Sequence, residues 1–454
     1  PEKLEVNLKL TESVQTFGLW GTHRTYATHI ASASIGDRIN DFSWFASGNI
    51  SFNKTQPLTY VTTAGVYPWP GMVVASNKVG NVANVLGAAG QLDQVQANAK
   101  LKLAYDFTPT IRGTYQVGFW SNDSSTFPEN YIGTFGTTAG ASALGAGVLQ
   151  TGFGSSYYRV QEQMLTNAVS LKSATNGLFD FDLAFANFSY LKSDQLAPYT
   201  AIAGPGYAMP NGKDYFTPNG KDAKFGGTYW NQLDLKGVWR PELFGRHEVS
   251  FGFHADEYHL NNPTYLTSSW TAGQQTTFLT ASIAQGTTRT QALWIQDAWR
   301  FHPDFKLTIG GRWENWQARD GFNQALAGIN ALGTDWTKSA ANAESSKAKF
   351  QNNLHHARFS PKGSLQWTPN DEWKVTGSIG LANRFPTVKE LYNLSILPGA
   401  GGLTANPNPN LRPEVALSAE VAVERKIGAD GAVRVSVFSE EVRDAIVSQN
   451  IFVA

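Results

Sequence analysis

The chain has 454 residues, no cysteine, and 36 basic against 36 acidic residues. The missing cysteine excludes a disulfide framework, a zinc-cysteine site and a thiol nucleophile, and the charge balance gives no argument for nucleic acid or an anionic membrane surface as a partner. Only 16% of residues are charged while 13% are aromatic; no run approaches the roughly eighteen apolar residues of a membrane helix, so the chain is either soluble or a β-barrel.

Nothing in the sequence reads as a linker between separate cores, so residues 1–454 form one large β-structure. The first strand is Lys3 to Leu10, where Leu4, Val6, Leu8 and Leu10 alternate with Lys3, Glu5, Asn7 and Lys9. Period two means a strand with one apolar face. The alternation is purest from Gln94 to Phe107: Val95, Ala97, Ala99, Leu101, Leu103, Tyr105 and Phe107 interleave with Gln94, Gln96, Asn98, Lys100, Lys102, Ala104 and Asp106. Similar runs follow around Phe179 to Phe185, Phe305 to Glu314 and Trp373 to Leu381. A strand of a soluble sandwich has about five or six residues, whereas a tilted bilayer-crossing strand needs roughly nine to eleven. These strands are long enough to span. Their charged faces do not suit a dry core, because an unpaired buried charge costs at least several kcal/mol, so the interior is wet or filled by a polar element.

About fifteen such strands are expected, with connections that alternate in length. Gly36 to Asp41, Thr108 to Thr110, Ala174 to Gly177, Pro241 to Gly245, His302 to Asp304, Thr368 to Asp371 and Gly428 to Gly431 are short turns. Long loops are expected near 54–93, 122–156, 193–226, 259–286, 319–355 and 383–413, and the hairpin near Gly18 to Gly21 is the one short connection on their side. Sorting of this kind belongs to an outer-membrane barrel, with the short turns at the periplasm. Lys3 then starts at the periplasmic rim, and strand fifteen, near Val433 to Ser448, ends at the outer one. Bacterial single-chain barrels close on an even strand count, so the barrel is expected to continue beyond this sequence. Trp120, Trp230, Trp239, Trp299, Trp367 and Trp373 near strand ends suit an interfacial girdle. Pro1 follows no charged and apolar leader, so a secretory signal is either removed or outside this sequence.

The segment from Arg384 to Glu414 joins two alternating strands, Trp373 to Leu381 and Val415 to Ile427. It contains Arg384-Phe385-Pro386-Thr387, then Glu390-Leu391-Tyr392, and finally Asn408-Pro409-Asn410-Leu411-Arg412-Pro413-Glu414. In this order the pieces resemble the FRAPT…ELY and NPNLKPE signatures of TonB-dependent outer-membrane receptors, apart from a missing alanine before the proline. The resemblance implies a transmembrane antiparallel up-and-down β-barrel of 22 strands, of which about fifteen are present, without the N-terminal plug or the closing strands. It also implies capture of a scarce nutrient, a ferric siderophore or other metal chelate, and import driven through the TonB complex by way of the plug. Outer-membrane lipid is the surrounding partner, and the localisation implied is the outer membrane of a Gram-negative bacterium.

Other chemistry finds little footing. His254, Asp256, Glu257 and His259 resemble a metal cluster, but strand alternation puts His254 and Asp256 on one face and Glu257 and His259 on the other. His355 and His356 likewise point apart. Glu440 and Glu441 face opposite ways, and the glycine-rich stretches Thr137 to Gly147 and Gly399 to Gly402 precede no helix pattern that would cradle an anion. No catalytic residue, metal site or cofactor is expected. Binding by the outer loops remains, through Tyr60, Tyr67 and Trp69, Tyr265 and Trp270, and Arg384, Lys389 and Tyr392. Together these form an aromatic and cationic mouth suited to a polar ligand with flat or anionic parts. A passive porin, a soluble carbohydrate-binding β-protein and a barrel hydrolase are the alternatives, and the loops do not identify a ligand among iron chelates, copper complexes, cobalamin and oligosaccharides.

Overall fold

The computed structural model describes residues 3–64, 70–132, 153, 156–198, 220–243, 245–267, 269–271, 277–325, 349–392, 395–396, 404–405, 408–428 and 431–447. One sheet of 18 strands contains nearly all the regular structure. Three of those strands are short outliers at the long-loop rim, Thr59–Thr63, Gly220–Lys224 and Lys349–Phe350. The other fifteen form the wall.

They are β1 (Glu5–Leu19), β2 (Thr22–Ile39), β3 (Phe42–Lys54), β4 (Asn84–Thr108), β5 (Ile111–Asn130), β6 (Tyr158–Ser173), β7 (Phe179–Pro198) and β8 (Tyr229–Trp239). The remainder are β9 (Arg246–Thr267), β10 (Thr277–His302), β11 (Phe305–Ala325), β12 (Leu354–Trp367), β13 (Trp373–Arg384), β14 (Glu414–Ile427) and β15 (Gly431–Arg443). Each pairs antiparallel with the next in sequence, the topology of an up-and-down barrel wall. Within the described residues β1 pairs only with β2 and β15 only with β14, so the sheet presents two free edges.

The two faces differ as the alternation requires. Val95, Leu101, Tyr105, Leu293, Ile295, Ile309, Phe359 and Ile379 stand exposed on one of them. Exposed apolar side chains at this density have only one low-cost environment, which is lipid. The opposite face is polar and lines the lumen; across β1 to β7 it borders an open cavity of about 640 Å³ lined by Lys9, Asn98, Lys100, Gln116 and Trp120. Trp120 therefore faces the lumen and not the girdle. Trp230 does too, since its register partners are Phe188 and Tyr258 on the lumen side. Trp239, Trp299, Trp367 and Trp373 keep to the lipid side at the short-turn rim; His247 stacks on Trp299 at 5.3 Å and Arg425 sits 5.0 Å from the Trp373 ring.

Strands run further toward the long-loop rim than the apolar pattern does. β7 reaches Pro198, β9 reaches Thr267 and β4 begins at Asn84. Register shifts cluster in these upper parts, between Gln163 and Met164, between Thr264 and Tyr265, and between Ala88 and Gln91. Bulges there let the strands bend beyond the spanning region.

Candidate functional site: the outer rim and its internal anchor

The segment that leaves β13 builds a compact internal anchor. Pro386 fixes the backbone before Thr387, and Thr387 and Glu390 then form a reciprocal cap. The Glu390 backbone N–H donates to Thr387 Oγ1 at 3.3 Å, while the Thr387 N–H and hydroxyl donate to Glu390 Oε2 at 2.8 and 2.9 Å. This starts the short helix α1, Val388–Tyr392. A helix of five residues is not stable by itself, and its permanence comes from packing.

Val388, Leu391 and Tyr392 are all 0% exposed, pressed against Leu260, Trp316 and Ala318 on the lumen face of β9 and β11. Trp316 stacks with two rings, Phe385 at 5.7 Å with planes 9° apart and His356 at 5.7 Å and 17°. Two glycines make room for Tyr392: a Cβ at Gly321 would lie 2.5 Å from its Cζ, and one at Gly286 would lie 2.9 Å from its Cε2.

Electrostatics close the loop. Arg384 donates to Glu390 and, at 3.2 Å, to Glu414, its register partner across β13 and β14. Thus RFPT, ELY and NPNLRPE, separate in sequence, meet at one guanidinium. Burial pushes the Glu390 carboxyl up, but the Thr387 N–H, the Arg384 guanidinium and the Thr387 hydroxyl together hold it below the ordinary value. In the second piece the Asn410 N–H donates to Asn408 Oδ1 at 3.0 Å, an Asx turn, and Leu411 packs on the same core.

The eight residues expected in the mouth fall in different places. Arg384 and Lys389 are exposed, whereas Tyr392 is wholly buried in the anchor. Tyr60 packs edge-on against Trp20 at 4.2 Å, at the far side of the rim. Around it lies a polar cluster in which Glu129 accepts from Thr22 Oγ1 at 2.7 Å and Arg24 at 2.8 Å, and Thr22 also bonds the Tyr131 hydroxyl at 2.6 Å. Burial raises the pKa of Tyr60 and of Tyr131 above the usual phenol value. Tyr265 is half-buried, and Trp270, 6% exposed, lies over Gly220 and 6.5 Å from Tyr157. Tyr67 and Trp69 lie outside the described residues. Loop 383–413 thus holds three of the eight, and the described others divide between two further clusters.

The histidine motif separates as strand geometry requires. His254 Nδ1 meets Asp234 at 2.7 Å and its Nε2 meets Asp256 at 3.1 Å on the lumen face, while Glu257 and His259 face the other way. Both imidazole nitrogens are engaged by carboxylates. Among the described residues no group of three or more His, Asp or Glu is placed to hold a metal ion.

Residues 90–453 match the family model described as "TonB dependent receptor-like, beta-barrel". No curated protein sequence matches the chain. Among solved structures it is similar to the ferric citrate transporter FecA, with TM-score 0.61 and 10% identity over 99% of this chain and 53% of that one. It is also similar to the ferric yersiniabactin uptake receptor FyuA from Yersinia pestis, TM-score 0.55, 12% identity, 98% and 55% coverage. The copper transporter OprC gives TM-score 0.58, 12% identity, 98% and 55% coverage. The chain spans about half the length of these proteins.

Proposed function

Since the chain belongs to the TonB-dependent receptor-like β-barrel family, we propose that it is the barrel wall of an outer-membrane receptor that takes up a metal chelate, in first place a ferric siderophore. Family members are outer-membrane barrels of Gram-negative bacteria, and the similar structures are transport receptors and not enzymes. One observation carries the reading for this chain: the family's motif segment is pinned inside the lumen by α1 and the Phe385–Trp316 stack. Pinning supplies a rigid base for the loop, on which Lys389 of α1 stands exposed.

In this mechanism the wall performs no covalent step. Its apolar face seats the protein in the bilayer, the outer loops select the ligand, and the polar lumen provides a wet path. Lys389 supplies an exposed cationic group for an anionic chelate and Arg384 holds the loop in place through Glu390 and Glu414, with the half-buried rings of Tyr60 and Tyr265 at the rim for its flat parts and Trp270 packed behind them. Energy from the proton gradient reaches the ligand through TonB acting on a plug in the lumen. Titrating the detergent-purified protein with a panel of ferric siderophores, copper chelates and oligosaccharides, read by tryptophan fluorescence, tests the substrate class. Saturable binding of a metal chelate supports it; saturable binding of oligosaccharides alone overturns it.

A further inference from the structure

Along the lumen face of β4, Asn98, Lys100 and Lys102 follow one another toward the short-turn rim at intervals of about 7 Å, the spacing of alternate residues on a strand. Asp106 stands further down the same face. Register sets Ser47 and Gly118 beside Lys100, and Phe45 and Gln116 beside Lys102. Two open cavities share Lys100 as a border. The upper one, of about 640 Å³, also touches Lys9, Trp120, Met164 and Phe188, while the lower one, of about 490 Å³, touches Lys102, Arg38 and Arg112. Together they make a continuous groove down one side of the lumen.

The charge in this groove is unbalanced. Asp106 meets Arg38 at 2.7 Å and Arg112 at 3.3 Å, so one carboxylate serves two guanidiniums. Lys100 and Lys102 are exposed, and neither has an ion-pair partner among the described residues. By contrast, the lumenal Arg312, Lys374 and Arg434 on β11, β13 and β15 each have a carboxylate, Glu314 at 2.8 Å, Glu424 at 3.0 Å and Glu420 at 3.0 Å. Two free ammonium groups in a polar channel with apolar surroundings outside its wall focus a field that concentrates anions. At the upper end Trp120, the register partner of Asn98, lines the groove with Phe188. Aromatic rings beside cations suit an anion that is itself flat.

We propose that Lys100 and Lys102 form an anion-binding track in the lumen, which takes a multiply charged carboxylate bearing a flat ring and passes it from Trp120 and Phe188 toward Arg38 and Arg112. The proposal rests on the receptor reading above and deepens it, because it names the charge and shape of the ligand and the side of the lumen it follows. Passage requires binding that is firm enough to enter and weak enough to leave. The order of the groups meets this need: the free lysines attract the anion, and the two guanidiniums beyond them, already engaged by Asp106, hold it less firmly near the short-turn rim.

Isothermal titration calorimetry of the detergent-purified chain tests this with trimesate, a flat benzene tricarboxylate, and with the cyclohexane tricarboxylate of the same substitution, which carries equal charge on a puckered ring. The wild type is expected to bind trimesate roughly fivefold more tightly. K100Q/K102Q is expected to weaken both ligands roughly tenfold, K100R/K102R to keep most of the affinity, and W120L to remove only the preference for the flat ring. K374Q/R434Q, which takes the same charge from the paired cations of β13 and β15, is expected to bind as the wild type does. Undiminished binding by K100Q/K102Q, or an equal loss in K374Q/R434Q, overturns the track. Equal affinity of the wild type for the two ligands overturns the flat ring as part of the occupant. Displacement of trimesate by a glutamate-rich peptide at equal concentration overturns the small anion in favour of an acidic protein segment. Absence of ferric siderophore binding while these affinities hold counts against the receptor reading and not against the track.

Discussion

Phe385 lies parallel to Trp316, centroids 5.7 Å apart and planes 9° from coplanar, and this contact joins the motif segment to a strand far earlier in the chain. Trp316 is 2% exposed and Phe385 half-buried. F385A is expected to cost about 2 kcal/mol, less than a fully buried phenylalanine. Thermal unfolding in detergent measures the loss, and limited proteolysis should show earlier cleavage within 386–413. Unchanged cleavage would mean that the stack does not hold the loop.

The glycine sockets give an ordered pair of effects. G321A places a methyl 2.5 Å from the Tyr392 ring and G286A one 2.9 Å away. Overpacking of this kind costs about 1–3 kcal/mol. The lower midpoint is expected for G321A.

Tyr392 offers the opposite sign. Its hydroxyl is buried without a hydrogen-bond partner among the described residues. Y392F removes that desolvated group and keeps the ring, so stability should rise by about 1 kcal/mol. A fall in the unfolding midpoint would instead reveal a partner for the hydroxyl.

Acid should release the loop. The folded-state pKa of Glu390 is lowered, so its contribution is full above the ordinary glutamate value of 4.5 and is lost as pH falls through the lower folded value. Protease sensitivity of the loop is expected to rise below that range in the wild type. In E390Q, which cannot ionise, the sensitivity is expected to be higher at neutral pH and to lose much of its acid dependence.

Much of the wall is legible in sequence because one face meets lipid and the other water. Val95 to Phe107 shows this alternation without interruption, and β4 contains it. Where both faces are polar, as at Glu257, Arg289 and Gln317, the period disappears from hydropathy although the strand continues. Hence the upper ends of β7, β9 and β10 read as loop. The anchor is half legible: Thr387 and Glu390 carry the spacing of a cap. Their packing partners Trp316, His356, Gly286 and Gly321 are brought to them only by strand pairing and curvature of the sheet, so Tyr392 reads as a mouth residue while its ring fills the core.

Uptake of radiolabelled iron from a panel of ferric siderophores decides whether this wall belongs to an energised receptor, comparing cells with the gene intact, with the gene deleted, and with the proton gradient collapsed. At least one chelate is expected to accumulate only when both gene and gradient are present. Accumulation that needs the gene but ignores the gradient would point to a passive channel, and accumulation of every chelate without the gene would contradict the receptor assignment.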